Sequence, residues 1–231
     1  MTICGFQKLT LLDYPGRVAA TVFTGGCNLR CPFCHNAQLV TDLRRTPVLD
    51  TDEVLAYLQK RRGILDGVCI TGGEPTLQPD LPAFLGRLHT MGYAVKLDTN
   101  GTNPDLLRRL IADGLVDYVA MDIKQCREKY GIAAGKIPFQ TAPIEESIRL
   151  LMSGSIPYEF RTTTVRGIHT ASDFVAIGDW IAGAERYFLQ GFVDSGSLIG
   201  GGFEAFSAEE MKQFLAIVQQ KIPQAQLRGI D

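Results

Sequence analysis

The alternation of apolar and amphipathic segments constrains the fold of this chain more than any other feature of its sequence. Six short apolar runs, rich in β-branched residues, are separated by amphipathic stretches with helical spacing. The runs cover residues 18–24, 68–71, 94–97, 116–121, 159–165 and 187–193. Several of them are continuously apolar, which is typical of strands covered on both faces in a parallel sheet. The alternation therefore predicts an α/β fold of six β/α units.

Capping signals lie in the amphipathic stretches, where helices should begin. Ser207 with Glu210 has capping-box spacing, and Asn103 stands before a proline at a predicted helix start. No Pro/Ser-rich linker interrupts the pattern, so we expect residues 1–231 to form a single domain. Six parallel strands can form an open doubly wound sheet or an incomplete barrel. In both, chemistry belongs at the carboxyl ends of the strands.

Composition narrows the classes of function. The chain carries 23 Lys and Arg against 25 Asp and Glu, so no basic field attracts a phosphate backbone, and nucleic acid is not an expected partner. No apolar stretch is long enough to span a membrane, and residues 1–15 lack the pattern of a signal peptide. We expect a cytoplasmic protein with reduced cysteines, in which a cysteine cluster indicates a metal or catalysis.

Three of the six cysteines form such a cluster. Cys27, Cys31 and Cys34 follow two glycines directly after the first apolar run, with Cys-x3-Cys-x2-Cys spacing. Thiolates at this spacing can wrap one face of a small iron–sulfur cube. A [4Fe–4S] cluster ordinarily takes four cysteines. Three would leave one iron without a protein ligand and open to a chelating small molecule.

Other interpretations of the cluster compete with this one. Residues 31–35 match the c-type haem attachment pattern, but that chemistry normally follows export and would leave Cys27 without a role. A Cys3His zinc site could use His35, although its adjacency to Cys34 would strain a tetrahedral centre. Three inert, buried cysteines are a further alternative. The iron–sulfur interpretation agrees best with the spacing, the position and the neighbouring motifs.

Residues that could bind a ligand or take part in a reaction also follow the next three runs. Residues 71–75 read Thr-Gly-Gly-Glu-Pro, residues 98–101 read Asp-Thr-Asn-Gly, and residues 122–124 read Asp-Ile-Lys. Paired glycines allow a ligand to approach the backbone, and Glu74 offers a carboxylate to an ammonium group. Taken alone, these segments are also typical of a glycine turn, an Asn-Gly turn and a solvated strand end. Their place after successive strands puts them at the same end of the fold as the cysteines.

Together these segments resemble the radical S-adenosylmethionine (SAM) superfamily. The cysteine motif followed by Gly-Gly-Glu carries the general likeness. The finer likeness, over about residues 5–165, is to glycyl-radical-enzyme activases, and residues 12–16, 34–36, 98–101 and 122–124 carry it. Among these the chain is most similar to the activating proteins of anaerobic ribonucleoside-triphosphate reductase, with pyruvate formate-lyase activase as a close relative.

This resemblance implies an incomplete (β/α)6 barrel of the radical SAM type with one [4Fe–4S] cluster. SAM would chelate the open iron, and one electron, from reduced flavodoxin or ferredoxin, would break a sulfur–carbon bond to give methionine and a 5′-deoxyadenosyl radical. The radical would take a hydrogen from a glycine of a partner glycyl-radical enzyme. Two alternatives remain: a radical SAM enzyme with a small-molecule or other peptide substrate, and a zinc-stabilised α/β binding protein without catalysis.

The resemblance also implies roles for individual residues. The cluster ligands would be Cys27, Cys31 and Cys34. The residues that would contact SAM are Phe33 and His35 at the adenine, Gly72, Gly73 and Glu74 at the ammonium group, and Asp122 and Lys124 near the ribose and carboxylate. A monovalent cation would lie at Asp98, Thr99 and Asp122, although a salt bridge to Lys124 would equally account for Asp122.

Three further features concern charge and the partner. Arg161 stands inside the fifth run, where a charge needs a partner, and the SAM carboxylate or Asp13 would serve. Asp13 and Tyr14 precede the first run. They are expected to lie at the rim of an open side of the barrel and to contact the partner enzyme there. The glycine-dense segment 196–202 is expected to be a mobile loop that folds over a docked chain, and the alternative is that it only connects a strand to a helix.

The chain also departs from the pyruvate formate-lyase activases. Those proteins carry glycine where Tyr14 stands, and a histidine near the end of the sixth strand, where this chain offers Gln190. Both departures concern the identity of the partner enzyme more than the reaction that the protein carries out. His89 and His169 are expected at the surface or at helix boundaries, and the three scattered cysteines are expected to be small apolar residues.

Overall fold

The computed structural model describes residues 1–230, which contain one eight-stranded sheet in the order β1 to β8. β1 pairs antiparallel with β2, and every later pair is parallel. The strands are β1 (Ile3–Thr10), β2 (Ala19–Thr24), β3 (Gly67–Gly72), β4 (Ala94–Thr99), β5 (Tyr118–Asp122), β6 (Tyr158–Thr164), β7 (Tyr187–Gly191) and β8 (Gln226–Arg228). β2 to β7 overlap the six predicted runs, which confirms those six parallel strands, and β8 adds a seventh parallel strand that the runs do not predict.

Helices connect the parallel strands and cover the outer face of the sheet. They are α1 (Ala37–Thr41), α2 (Thr51–Lys60), α3 (Leu81–Thr90), α4 (Pro104–Ala112), α5 (Tyr130–Ala134), α6 (Ala142–Met152), α7 (Ala171–Trp180) and α8 (Ala208–Gln219). The predicted capping box of Ser207 and Glu210 is present at α8, and Asn103 caps α4 by accepting from the Leu106 N–H. No helix within residues 1–230 is both long and apolar enough to cross a membrane.

β1 and β8 are the two strands that the sequence pattern does not reveal, and β1 is the longer of them. Its residues mix exposed polar and half-buried side chains, since only one edge of β1 is paired and one of its faces meets solvent. Because β1 runs antiparallel to β2, the connecting segment 11–18 lies at the amino end of β2. This end is opposite to the cysteine loop, which follows the carboxyl end of β2.

Tyr14 fills the amino end of the curved sheet. Its side chain is 3% exposed and packs with Ala19, Ala94 and Tyr118, which come from three different strands. A Cβ at Gly67 would lie 2.9 Å from the Tyr14 ring, so the small residues on β2, β3 and β4 create the space for this ring. Burial raises the pKa of Tyr14 to about 12, which keeps the phenol neutral at physiological pH.

Candidate active site

A cavity of about 310 Å³ opens at the carboxyl ends of the parallel strands. Its walls come from the loops after β2, β3, β4 and β5 and from the ends of β6 and β7. Most residues predicted for the site line it: Cys27, Cys31, Cys34, Phe33, His35, Gly72, Gly73, Asp98, Thr99, Asp122, Lys124 and Arg161, together with Gln190. The structure therefore brings together segments that lie far apart in the sequence, in a cavity of the size that small cofactors occupy.

The cysteine loop is held by backbone hydrogen bonds to three other segments. The Gly26 N–H donates to the Leu39 carbonyl at 2.8 Å, and the Arg30 N–H donates to the Ala134 carbonyl at 2.9 Å. The Gly200 N–H donates to the Pro32 carbonyl at 2.7 Å. The segment 196–202, predicted to be mobile, thus contacts the cysteine loop through Gly200.

The three clustered cysteines fit an iron–sulfur cluster. All three thiols are free and line one cavity, and the Leu29 N–H lies 3.4 Å from the Cys27 Sγ, as donors to cluster sulfurs do. Burial raises the pKa of Cys31 to about 11, with the Lys124 ammonium opposing the rise. The Cys31 thiol is therefore neutral without a metal, so binding a cluster must release its proton.

A single metal ion fits these residues less well. Within residues 1–230, no three His, Cys, Asp or Glu side chains are arranged so that one ion could bind them together. The His35 Nε2 lies 2.6 Å from the Val193 carbonyl oxygen and is engaged there. The geometry thus gives no support to the Cys3His zinc alternative.

The loop after β3 packs backbone against backbone on the cysteine loop. The Glu74 N–H donates to the Gly26 carbonyl at 2.8 Å, and the Gly73 N–H donates to the Thr24 carbonyl at 2.8 Å. A Cβ at Gly73 would lie 2.0 Å from the Gly26 carbonyl oxygen, so no other residue fits there without moving the cysteine loop. This close approach is the physical requirement for glycine at position 73.

Glu74 lies beneath the cavity and does not line it. Its side chain is 1% exposed, and Oε1 accepts from the Thr76 N–H (3.1 Å), the Thr76 hydroxyl (2.5 Å) and the Thr99 hydroxyl (2.8 Å). Oε2 accepts from the Asn100 N–H at 2.7 Å. Burial raises the pKa of Glu74, and these donors oppose the rise. The carboxylate therefore joins the loops after β3 and β4, whereas the sequence predicts a contact with an ammonium group.

Five charged side chains form a row along the inner face of the sheet: Lys96, Asp98, Arg161, Asp122 and Lys124. Arg161 bridges the two carboxylates, with Nη1 3.1 Å from Asp98 Oδ2 and Nε 3.0 Å from Asp122 Oδ1. Lys96 pairs with Asp98, and Lys124 Nζ lies 2.8 Å from Asp122 Oδ2. Three cations against two anions leave one positive charge, which favours an anionic group in the cavity.

The pKa shifts follow from these pairs. Burial alone would raise the pKa of Asp98, but Arg161 and Lys96 lower it to about 2. Arg161 and Lys124 likewise lower the pKa of Asp122 against its burial. Both carboxylates are therefore ionised and already neutralised by protein cations. The partners of Arg161 within the protein are these two aspartates and not Asp13, which was one of its two predicted partners. The predicted monovalent cation would compete with Arg161 for the same oxygens.

Two predicted partner-binding residues lie at the other end of the fold. Asp13 accepts a hydrogen bond from the Thr21 hydroxyl at 2.5 Å, and Tyr14 is buried in the packing described above. Neither lines the cavity with the cysteines.

His169, expected at a surface or a helix boundary, lies at a helix boundary directly before the N-cap of α7 and is 3% exposed.

A second cavity, of about 480 Å³, lies at the amino ends of β5 to β8. Glu159, 1% exposed, forms its inner wall and pairs with both terminal nitrogens of Arg228 at 2.8 and 3.1 Å. The Tyr118 hydroxyl donates to the same carboxylate at 3.0 Å. Pro15 also lines this cavity, so both the segment before β2 and the last strands contribute to it.

Comparison with known proteins places this geometry in a family. The sequence profile of the Radical SAM superfamily matches residues 21–179. A protein described as a putative glycyl-radical enzyme activating enzyme, from Methanocaldococcus jannaschii, is 32% identical over 201 residues, which are 82% of this chain and 79% of the relative. A 7-carboxy-7-deazaguanine synthase of Neisseria meningitidis is 31% identical over 141 residues, 61% of this chain and 57% of that relative.

Solved structures agree on the fold. A domain of a pyruvate-formate lyase-activating enzyme from Bacteroides vulgatus superposes with a TM-score of 0.59 at 19% identity, covering 71% of this chain and 99% of that domain. This likeness and the mostly parallel sheet confirm the expected incomplete barrel. The chain therefore belongs to the radical SAM superfamily, and it is an enzyme whose cofactors are a [4Fe–4S] cluster and S-adenosylmethionine.

Proposed function

We propose that this enzyme generates a glycyl radical on a partner enzyme, and that the partner is an anaerobic ribonucleoside-triphosphate reductase. The observation that carries the proposal is the similarity to the Methanocaldococcus jannaschii activating enzyme over most of both chains. The likeness of residues 12–16 to the activators of that reductase supports the finer assignment of the partner. Reduced flavodoxin or ferredoxin is the proposed electron donor, and the cytoplasm is the proposed compartment.

The side chains of the first cavity have distinct proposed tasks. Cys27, Cys31 and Cys34 would each hold a separate iron. When bound, the cluster and SAM supply a reductively cleaved sulfur–carbon bond and a carbon radical that abstracts hydrogen. Lys124 and Arg161 would attract the SAM carboxylate, because the charged row retains one positive charge. These residues would orient SAM at the cluster.

The remaining predicted contacts orient the rest of SAM. Backbone groups of Gly72 and Gly73 would accept the ammonium group, since Glu74 directs its carboxylate to other partners. Phe33 and His35 would face the adenine from the cysteine loop. Gln190, which lines the same cavity, is the polar residue available where related activases carry histidine. Enclosure by these side chains would exclude water from the reacting atoms.

The partner would dock along the side of the incomplete barrel that includes the segment before β2, and its glycine loop would reach the cavity at the carboxyl ends of the strands. Leu11 and Leu12 in this segment are 67% and 89% exposed, which is unusual for adjacent leucines and typical of a protein contact. Asp13 follows them and points toward Thr21 inside the sheet. Tyr14 is buried in this structure, so its proposed contact with the partner requires the segment to shift on docking.

The similarity to 7-carboxy-7-deazaguanine synthases favours a second candidate, a radical SAM enzyme with a small-molecule substrate. That similarity covers 61% of this chain and 57% of the synthase, less on both sides than the similarity to the activating enzyme. We therefore favour the activase, and the experiment below separates the two.

The experiment is an anaerobic activation assay followed by electron paramagnetic resonance. Reconstituted protein, SAM, a reductant and the anaerobic ribonucleotide reductase of the same cell should give a glycine-centred doublet. Asp13→Ala should weaken the doublet more than it slows SAM cleavage without partner. Thr21→Val is the matched control, because it removes the same hydrogen bond and keeps the carboxylate. No doublet from any glycyl-radical enzyme of the cell, with SAM cleavage accelerated by a small molecule, would favour the second candidate.

A further inference from the structure

His169 lies between β6 and α7, directly before the N-cap residue Thr170. Its ring does not line the cavity with the cysteines and is 3% exposed. It lies behind two segments that do line the cavity, the cysteine loop and the residues that follow β5. A buried, polar ring in this place needs partners for both of its nitrogens.

Both nitrogens of His169 bond to backbone groups. Nδ1 accepts from the Val165 N–H at 3.1 Å, so this nitrogen carries no proton. The proton of the neutral ring is therefore on Nε2, which donates to the Lys124 carbonyl oxygen at 3.0 Å. Burial lowers the pKa of His169, in agreement with a neutral ring. The ring thus ties the end of β6 to the backbone of Lys124.

The ring of His169 also packs against aromatic side chains on two sides. It stacks on Phe174 of α7, with centroids 5.6 Å apart and planes at 21°. It makes an edge contact with Phe33, with centroids 6.5 Å apart and planes at 63°. Phe33 lies between Cys31 and Cys34 in the cysteine loop. One buried ring therefore touches both the cysteine loop and the backbone of Lys124.

We infer that His169 is a positioning residue for the cofactor site, which sets the place of Lys124 relative to the cysteine loop. The Lys124 side chain lines the cavity beside Asp122, and its backbone position decides where the ammonium group can reach. Gln125 adds a second tie between the same segments, donating to the Ile168 carbonyl at 2.8 Å. The inference rests on the proposed role of Lys124 at the SAM carboxylate.

Two conservative substitutions separate the two hydrogen bonds. In His169→Gln the side-chain amide reaches the position of Nε2 and retains a donor for the Lys124 carbonyl. In His169→Asn the shorter amide reaches the position of Nδ1 and retains an acceptor for the Val165 N–H, but it loses the bond to Lys124. The same two substitutions at His89, a half-buried histidine in α3, are the matched controls.

SAM affinity of the anaerobically reconstituted protein is the first readout, measured by calorimetric titration. Loss of one buried hydrogen bond predicts a dissociation constant about threefold to tenfold higher in His169→Asn. His169→Gln should remain within about twofold of the wild type. The second readout is the electron paramagnetic resonance spectrum of the reduced cluster. The change that SAM causes in this spectrum should be the same in His169→Gln as in the wild type, whereas the signals with SAM should be broader in His169→Asn. Iron content should be equal in all variants.

A purely structural role would lower the melting temperature in both variants and leave SAM affinity unchanged, and this result would overturn the inference. Equal loss of affinity in His169→Gln and His169→Asn would overturn it as well. If His169→Asn fails to fold, His169→Gln still decides, because a large loss of SAM affinity in this variant contradicts the argument. A wild-type protein with its cluster that binds no SAM would instead contradict the proposed function.

Discussion

Replacement of Glu74 by glutamine gives the sharpest test of how the cavity is built. The carboxylate accepts two backbone donors on different oxygens, the Thr76 N–H on Oε1 and the Asn100 N–H on Oε2. An amide has only one oxygen, so in Glu74→Gln one of these two donors must face the amide NH2. The hydroxyls of Thr76 and Thr99 can rotate, but the backbone N–H groups cannot.

The size of the effect follows from these contacts. A buried donor left without an acceptor costs about 1–3 kcal/mol, and because burial raises the pKa of Glu74, removal of its charge adds no further loss. The free energy of unfolding should therefore fall by about 1–3 kcal/mol, which lowers the melting temperature by about 2–12 °C for a chain of this length. The apoprotein should show this loss without cluster or SAM.

The assay is urea and thermal unfolding of the cluster-free protein, with Glu146→Gln as the matched control. Glu146 makes an exposed salt bridge to Arg108, so its substitution should cost less than about 1 kcal/mol. SAM affinity of the reconstituted protein is measured in parallel. If Glu74→Gln melts within about 2 °C of the wild type and loses only SAM affinity, the carboxylate faces the cofactor and the structural argument is refuted.

Three further outcomes are expected. Alanine at Cys31 should abolish iron incorporation, whereas Cys4→Ala should leave iron per chain unchanged; equal iron loss would contradict the assignment of the cluster loop. Gly73→Ala should reduce iron retention by displacing the Gly26 carbonyl, while Gly201→Ala, with open space around its Cβ, should not. Because the pKa of Asp98 is lowered to about 2, its ionised carboxylate contributes about 2 kcal/mol to the free energy of unfolding. This contribution is complete above about pH 4 and is lost as the pH falls from about 4 to 2. The difference in urea stability between wild type and Asp98→Asn should narrow over that interval, and a constant difference would show that Asp98 is not the titrating group.

The sequence predicts the parts of this fold that depend on local pattern. The six parallel strands follow from apolar runs, and the cavity residues follow because motifs at successive strand ends must meet at one edge of a parallel sheet. The two edge strands, β1 and β8, were not predicted, because β1 carries a mixed pattern and β8 has only three residues. The antiparallel pairing of β1 with β2 places Asp13 and Tyr14 at the end opposite to the cysteines. No local sequence pattern reveals this placement.

The roles of buried polar residues were the least predictable part of the site. Glu74 and His169 were assigned from their neighbours in sequence, one to a ligand and the other to a surface or a helix boundary. Their actual partners lie 26 residues away for Asn100 and 45 residues away for Lys124. A buried polar group is defined by whichever distant donors and acceptors the fold brings to it. Those partners become visible only when the strands have been placed side by side.

The cysteine loop shows how such distant contacts can fix a site whose residues are themselves reactive and unpaired. On one side a Cβ at Gly73 would lie 2.0 Å from the Gly26 carbonyl oxygen, and on another a Cβ at Gly135 would lie 1.9 Å from the Arg30 carbonyl oxygen. Both contacts join backbone to backbone and involve no thiol. The loop is therefore positioned by atoms that a cluster does not need, which leaves the three sulfurs free for iron. Because backbone contacts have few alternative arrangements, the thiols are held in place before a cluster binds, and less conformational freedom is lost when it does.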